Sequence, residues 1–150
     1  MKKAIDLAAE NVRSGRGGPF GALVVRDEEV VASGVNLVTG SNDPTAHAEI
    51  IAIRAACQKL GSFQLTDCEL YTSCEPCPMC LGAIYWARLK RFYYASSRDV
   101  AAAAGFDDAF IYNELSLLPD RRTIPGYRLA PELARKPFDE WAKSEGKRQY

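Results

Sequence analysis

Residues 69–96 read ELYTSCEPCPMCLGAIYWARLKRFYYAS and combine a structural pattern with a cluster of cysteines. The composition of residues 69–72 and 91–96 predicts two strands. Between them, residues 78–88 carry apolar side chains at helical spacing, which predicts a helix. A helix between two strands is typical of layered α/β proteins.

The rest of the chain continues this alternation. Asp43 can cap a helix with Pro44 at its first position, and apolar residues then recur at helical spacing until Gly61. The other predicted elements are a helix over residues 2–12 with Ile5, Leu7, Ala8 and Val12 on one face, a hairpin of strands 20–25 and 30–35 around the turn 26–29, short helical pieces after residue 100, a loop at 118–120 and a last helix over about 131–144. We therefore predict an α/β/α sandwich around a mixed sheet.

Composition narrows the class of protein. The 150 residues suit one domain, and 47% of them are hydrophobic. The 19 basic and 19 acidic residues cancel, so the chain lacks the basic excess of a dedicated nucleic-acid binder. No apolar run suits a signal peptide or reaches the roughly 18 residues of a membrane span. We expect a cytoplasmic protein without a membrane partner.

Five cysteines occur in the chain, at positions 57, 68, 74, 77 and 80, and the last three lie within seven residues. Such crowding favours metal or redox chemistry over a disulfide framework. Cys57 lies on the apolar stripe of its predicted helix and Cys68 beside a predicted strand. We interpret both as buried, inert thiols.

Residues 45–49, TAHAE, complete a metal-binding pattern with Cys77 and Cys80. An H-x-E segment followed by P-C-x-x-C is typical of zinc deaminases. His47, Cys77 and Cys80 would hold one Zn²⁺ per subunit, and three protein ligands leave the fourth position for water, as in catalytic zinc sites. Glu49, beside that water but not a ligand, can shuttle its proton to a leaving amine. The pattern predicts hydrolytic deamination.

Two other readings of the cysteines remain open. Cys74 could join His47, Cys77 and Cys80 in a closed structural zinc site, which would leave Glu49 without a role. Alternatively, Cys77 and Cys80 could form a thioredoxin-like redox pair. Measuring bound zinc after replacement of Cys74 separates the first of these from a catalytic site.

Four stretches carry a family resemblance. They are residues 17–22 (GGPFGA), 42–49 (NDPTAHAE), 71–88 (YTSCEPCPMCLGAIYWAR) and 105–108 (GFDD). On these stretches the chain resembles the cytidine deaminase superfamily, and within it the bacterial guanine deaminases. The resemblance implies a central five-stranded mixed sheet flanked by helices. It also implies attack of zinc-activated water at C2 of guanine, which gives xanthine and ammonia.

The same resemblance suggests how a purine base would be held. Asn36 and Asp108 would hydrogen-bond the purine, and Asp108 would also aid proton transfer to the departing amine. Phe20 would stack on the base. From the residues alone, Asn36 could simply end a strand, Asp107 or Asp108 could cap the next helix, and Phe20 could be a core residue.

The C-terminal residues are interpreted through the resemblance as well. It implies that about residues 131–150 close the active site of a partner subunit by domain swapping, in a homodimer. Tyr150 would then contact the base. Taken alone, a polar tail such as residues 146–150 normally frays.

Two rival functions share the zinc motif. A tRNA adenosine-to-inosine deaminase would need a basic face for the anticodon arm, which the neutral composition disfavours. A non-catalytic zinc-stabilised binding module would release no ammonia and would be indifferent to Glu49→Gln.

Overall fold

A computed structural model describes residues 1–149, so the predicted contact of Tyr150 lies outside the described residues. The chain divides into two compact units, Met1–Asp108 and Ala109–Tyr150. The helices are α1 (Lys2–Arg13), α2 (Val38–Ser41), α3 (Ala48–Leu60), α4 (Pro78–Trp86), α5 (Arg98–Ala103), α6 (Ala109–Leu115) and α7 (Lys136–Lys143), and the strands are β1 (Gly21–Arg26), β2 (Glu29–Val35), β3 (Glu69–Cys74) and β4 (Arg91–Ser96).

The sheet of the first unit has the strand order β2-β1-β3-β4. β1 pairs antiparallel with β2 and β3, whereas β3 and β4 are parallel. The mixed sheet is as predicted, but residues 1–149 form four strands and not the expected five. β-Branched and aromatic residues recur at 123–127, yet Pro125 and Gly126 interrupt them and no strand forms there.

The predicted hairpin is confirmed by the pairing of β1 with β2. Asp27 and Glu28 form its two-residue turn with φ angles of +49° and +65°. Positive φ at both central positions is the geometry that follows the right-handed twist of the strands. Asp27 is among the residues that favour the first of these positions, whereas Glu28 occupies the second, where glycine is preferred.

Helices cover both faces of the sheet. A Cβ atom on Gly21 would lie 2.5 Å from Ala4 O in α1, and one on Gly34 would lie 2.2 Å from Ala48 O in α3. Gly34 pairs with Ala22, the residue after Gly21, so the two glycines face opposite sides of the sheet. α1 and α3 therefore form the outer layers of Met1–Asp108, in agreement with the predicted sandwich.

The buried face of α1 differs from the predicted one. Ala4, Ala8 and Asn11 are buried, whereas Ile5 and Val12 are 44% and 50% exposed. The close approach to Gly21 explains this, because only small side chains fit between the helix and the strand.

The main core lies between the sheet and the pair α3 and α4. Its buried residues are Ala22, Val24, Ala48, Ala52, Ile53, Ala56, Leu65, Cys68, Leu70, Ile84 and Ala87. Cys68 is buried as predicted, and burial raises the pKa of its thiol to about 11. The prediction for Cys57 was wrong in part, because this residue packs at the edge of the core and is only half-buried.

The second unit contains α6, a 3₁₀ turn at Pro119–Arg121 and α7. α7 is shorter than the predicted helix over residues 131–144, since residues 131–135 form turns before Pro137 opens the helix. None of residues 109–149 is buried. Within residues 1–149, no helix has the length and apolar character needed to cross a bilayer.

Candidate active site

The candidate site lies where α3 and α4 begin. His47 is the N-cap of α3 and Cys77 is the N-cap of α4, both with extended backbone. Cys80 lies in the first turn of α4, three residues further on. The partial positive charge at a helix N-terminus favours a thiolate, so the α4 end suits cysteine ligands.

The predicted start of the helix that carries Glu49 was wrong. Asp43 caps no helix: its Oδ1 accepts hydrogen bonds from Thr45 N at 2.8 Å and Thr45 Oγ1 at 2.7 Å, which closes a local turn. α3 begins at Ala48 instead. His47 and Glu49 nevertheless flank the helix start, as the H-x-E spacing required.

The three predicted metal ligands come together. His47 Nδ1 lies 3.5 Å from Cys77 Sγ and 3.5 Å from Cys80 Sγ. One ligand atom from each residue lies within 4.8 Å of the others. Two sulfurs and one imidazole nitrogen are a donor set that suits zinc, and three protein donors leave a tetrahedral position for water or substrate.

The charges of the cluster favour metal binding. A hydrogen bond from Cys80, aided by His47, lowers the pKa of Cys77 to about 4, so this residue is a thiolate at neutral pH. The pKa of Cys80 is raised because it keeps the shared proton and is buried. The hydrogen bond to Cys77 also raises the pKa of His47. A bound cation would displace these protons, as metals do from thiol ligands.

Cys74 stands apart from the cluster. Its thiol donates to Ser97 O at 3.7 Å, and burial raises its pKa. Among the described residues, the group of potential ligand atoms consists of His47, Cys77 and Cys80 without Cys74. This arrangement favours an open, catalytic zinc site over the closed structural site.

Glu49 is buried, with 5% of its surface exposed, and lies beside the ligands. Its Oε1 accepts a hydrogen bond from Thr72 Oγ1 at 3.0 Å, and Cys80 Sγ donates to its Oε2 at 3.5 Å. Burial raises the pKa of the carboxyl, and the hydrogen bonds from its own backbone N–H and from Thr72 oppose that rise. A carboxyl with a raised pKa beside a metal site suits proton transfer.

Asn36 and Phe20 are neighbours in the structure. Asn36 follows β2, and its backbone N–H donates to Phe20 O at 3.1 Å. Asn36 Oδ1 accepts from the backbone N–H groups of Gly18 and Val38, each at 3.3 Å. The Phe20 ring meets Phe106 edge-to-face, with centroids 5.0 Å apart. Asn36 thus ends a strand, yet its side chain is also held in one orientation.

Asp108 directly precedes α6 and is half-buried. Burial and the negative charge of Cys77 raise the pKa of its carboxyl. The charge of Asp108 in turn acts on His47 and on Cys74. The structure therefore brings Asp108 within electrostatic range of the ligands, although 28 positions or more separate it from them in the sequence.

Two polar residues at the site were not predicted from the sequence. Thr72, in the middle of β3, is fully buried and donates to Glu49. Asn11, in α1, is fully buried and donates to Gly18 O and Asn36 O. A signal for Asn11 exists in hindsight, because it continues the Ala4 and Ala8 spacing of the buried helix face.

Comparison with known proteins agrees with this geometry. Residues 1–96 match the family described as the cytidine and deoxycytidylate deaminase zinc-binding region. The chain is 55% identical to guanine deaminase of Bacillus subtilis over 150 residues, which is 100% of this chain and 96% of that protein. The crystal structure of a guanine deaminase from the same organism matches with a TM-score of 0.97 and 56% identity, over 99% of this chain and 95% of that one.

A second group of relatives matches only part of the chain. The tRNA-specific adenosine deaminase of Agrobacterium fabrum is 47% identical over 78 residues, which is 52% of this chain and 51% of that protein. The zinc ligands and the helix starts that carry them lie within the region matched by the family. The chain is a member of the cytidine and deoxycytidylate deaminase zinc-binding family.

Proposed function

We propose that the protein is a guanine deaminase that hydrolyses guanine to xanthine and ammonia with one zinc ion per subunit. The observation that carries this proposal is the 55% identity to Bacillus subtilis guanine deaminase along the whole chain. The matches to tRNA-specific adenosine deaminases support the shared zinc chemistry, but they cover less of this chain, from 52% for the protein of Agrobacterium fabrum to 72% for that of Haemophilus influenzae.

His47, Cys77 and Cys80 would hold the zinc, which when bound supplies a water-derived nucleophile at neutral pH. Glu49 would accept one proton of the attacking water and deliver it to the ring nitrogen next to C2, and the second proton of the same water would pass to the amine. The oxygen of water forms the new bond to C2, the bond from C2 to the amino nitrogen breaks, and ammonia leaves. Thr72 holds Glu49 Oε1, and Oε2, which accepts from the Cys80 thiol, would be released for this transfer once Cys80 has lost its proton to hold zinc.

Asn36, Phe20 and Asp108 would hold the base. Because Asn36 Oδ1 is occupied by two backbone N–H groups, its amide nitrogen is the atom that can donate to a purine acceptor. The Phe20 ring offers an apolar wall. Asp108, with its raised pKa, can exchange a proton with the departing amine.

A substrate panel tests the proposal. The purified zinc-loaded protein should release ammonia from guanine, with guanine preferred over cytosine, cytidine and an adenosine-containing tRNA stem-loop by at least about 10²-fold in kcat/KM, since mispaired buried polar groups discriminate strongly. Ammonia release and the ultraviolet spectrum of xanthine are the readouts. Faster deamination of the stem-loop would identify a tRNA deaminase, and no ammonia from any substrate would favour a binding module.

We also propose that about residues 131–150 cover the site of a partner subunit in a swapped homodimer. Residues 109–149 bury none of their own side chains, which supports a packing partner. Their exposed large apolar residues are Phe110, Leu115, Leu117, Leu118, Ile124, Tyr127, Leu129, Leu133, Phe138 and Trp141.

Removal of residues 147–150 is expected to raise KM for guanine by about tenfold or more, because a lid excludes water from the base and adds contacts to it. Bound zinc should not change. Tyr150→Ala should reproduce most of the effect, and Lys147→Ala should not. Sedimentation should show a dimer for the full chain; a monomer, or unchanged kinetics after truncation, would contradict the lid.

A further inference from the structure

Asn11 is a fully buried polar residue in the helix α1, outside the metal cluster. Its side-chain nitrogen donates to Asn36 O at 2.7 Å and to Gly18 O at 2.9 Å. Its Oδ1 is buried without a hydrogen-bond partner in residues 1–149. Burying a carboxamide with one unsatisfied atom is unfavourable, so both donated bonds must contribute to keeping it there.

The two acceptors belong to the segments that carry the purine contacts. Gly18 O also accepts from the backbone N–H of Phe20, at 2.8 Å. Asn36 O is the backbone carbonyl of the residue whose side chain faces Gly18 N. The side-chain amide of Asn11 therefore bonds directly to Asn36, and it is connected to Phe20 through Gly18 O, which accepts from both residues.

The contact between Gly17 and Asn36 leaves no spare room, because a Cβ atom on Gly17 would lie 2.2 Å from Asn36 O. A Cβ atom on Gly18 would be in ordinary contact with the Phe20 ring, at 3.4 Å. Gly18 is held on both sides, because its N–H donates to Asn36 Oδ1 and its carbonyl accepts from Asn11. Gly17, Gly18 and Asn36 are therefore held together, and the hydrogen bonds from Asn11 attach them to α1.

The orientation of the Asn36 side chain follows from that unit. Its Oδ1 accepts from Gly18 N and Val38 N, whereas its amide nitrogen makes no hydrogen bond to residues 1–149. Asn36 therefore presents a donor to a ligand and not an acceptor. A shift of Gly18 would remove one of the two hydrogen bonds that orient Oδ1 and would loosen the carboxamide.

We propose that Asn11 is a positioning residue for base recognition: by fixing Gly18 and the Asn36 backbone, it holds the Asn36 amide as a donor and Phe20 as a wall. It touches neither the base nor the metal. The identity of the base comes from the proposed function, on which this inference rests in that respect alone. It predicts a defect in binding and not in the chemical step.

Asn11→Ala is the first test. We expect KM for guanine and the Kd for xanthine to rise about tenfold, because the base loses a pre-organised donor, while kcat changes less than about twofold. Zinc content should stay at the wild-type value. Asn11→Ser keeps one donor and should therefore raise KM and Kd by less. The same measurements are made on this variant if the alanine variant does not fold.

A matched control separates positioning from general loss of stability. Leu65→Ala removes a fully buried side chain of the main core, whose backbone hydrogen bonds go to Ala87 and Cys68 and not to Asn11, Gly18 or Asn36, and it should lower Tm without moving KM. A similar rise of KM in Leu65→Ala would overturn the proposal. An unchanged KM and Kd in both Asn11 variants would do so as well.

A double-mutant cycle with Asn36→Ala tests the route of the effect. If Asn11 acts through Asn36, the Kd of xanthine in the double variant should exceed that of Asn36→Ala by less than about threefold. Fully additive effects would overturn the proposal. If the wild-type protein does not deaminate guanine, the proposed function is wrong, whatever the role of Asn11. The ratios of KM and Kd between each variant and the wild type are then measured with the substrate of the panel that is deaminated.

Discussion

Glu49→Gln is expected to keep the full zinc content of the wild-type protein and to reduce kcat by a factor of about 10² to 10⁴. Glutamine has nearly the shape of glutamate and can still accept a hydrogen bond from Thr72, so the local packing should survive. It cannot accept and release a proton at neutral pH. Zinc content by elemental analysis and xanthine formation measure the two effects separately.

Glu10→Gln serves as the matched control for this substitution. Glu10 is an exposed residue of α1 that pairs with Arg13 at 2.8 Å, and exposed pairs of this kind contribute little. Its kinetics should equal those of the wild type. Full activity of Glu49→Gln would rule out Glu49 as the proton shuttle, and loss of zinc would show that Glu49 has a role in metal binding.

Cys77→Ser and Cys80→Ser are each expected to remove zinc and with it all measurable turnover. Each variant takes away one of three protein donors, so the loss of zinc affinity should exceed the roughly 10–100-fold that removal of an outer-shell partner costs. Competition with a chelator of known affinity gives the zinc affinity.

Cys74→Ser provides a sharp control because Cys74 is three residues from Cys77 and is buried beside Ser97. We expect it to retain zinc and at least about half of the activity, since a serine hydroxyl can replace the thiol as donor to Ser97 O. Loss of zinc from Cys74→Ser would instead support a closed site with four protein ligands.

The metal ligands could be predicted because their chemistry is encoded locally. His47 and Glu49 are two residues apart, and Cys77 and Cys80 are three apart at a helix start, so short-range geometry limits where these side chains can go. The start of α3 was predicted wrongly from the sequence. Asp43 and Pro44 have the composition of a helix start, but Thr45 satisfies the Asp43 carboxylate in a turn.

The residue spacing by itself determined the reaction chemistry and the alternation of helices and strands, because both depend on contacts over a few residues. Only the tertiary structure brought Thr72 to Glu49, tied Asn11 to Asn36 and left the sheet of residues 1–149 with four strands. These features depend on which segments pack together: Asn11 and Asn36 are 25 positions apart, and their hydrogen bond forms once α1 lies on the sheet. Local propensity carries no information about such a bond, since it depends on the packing of distant elements.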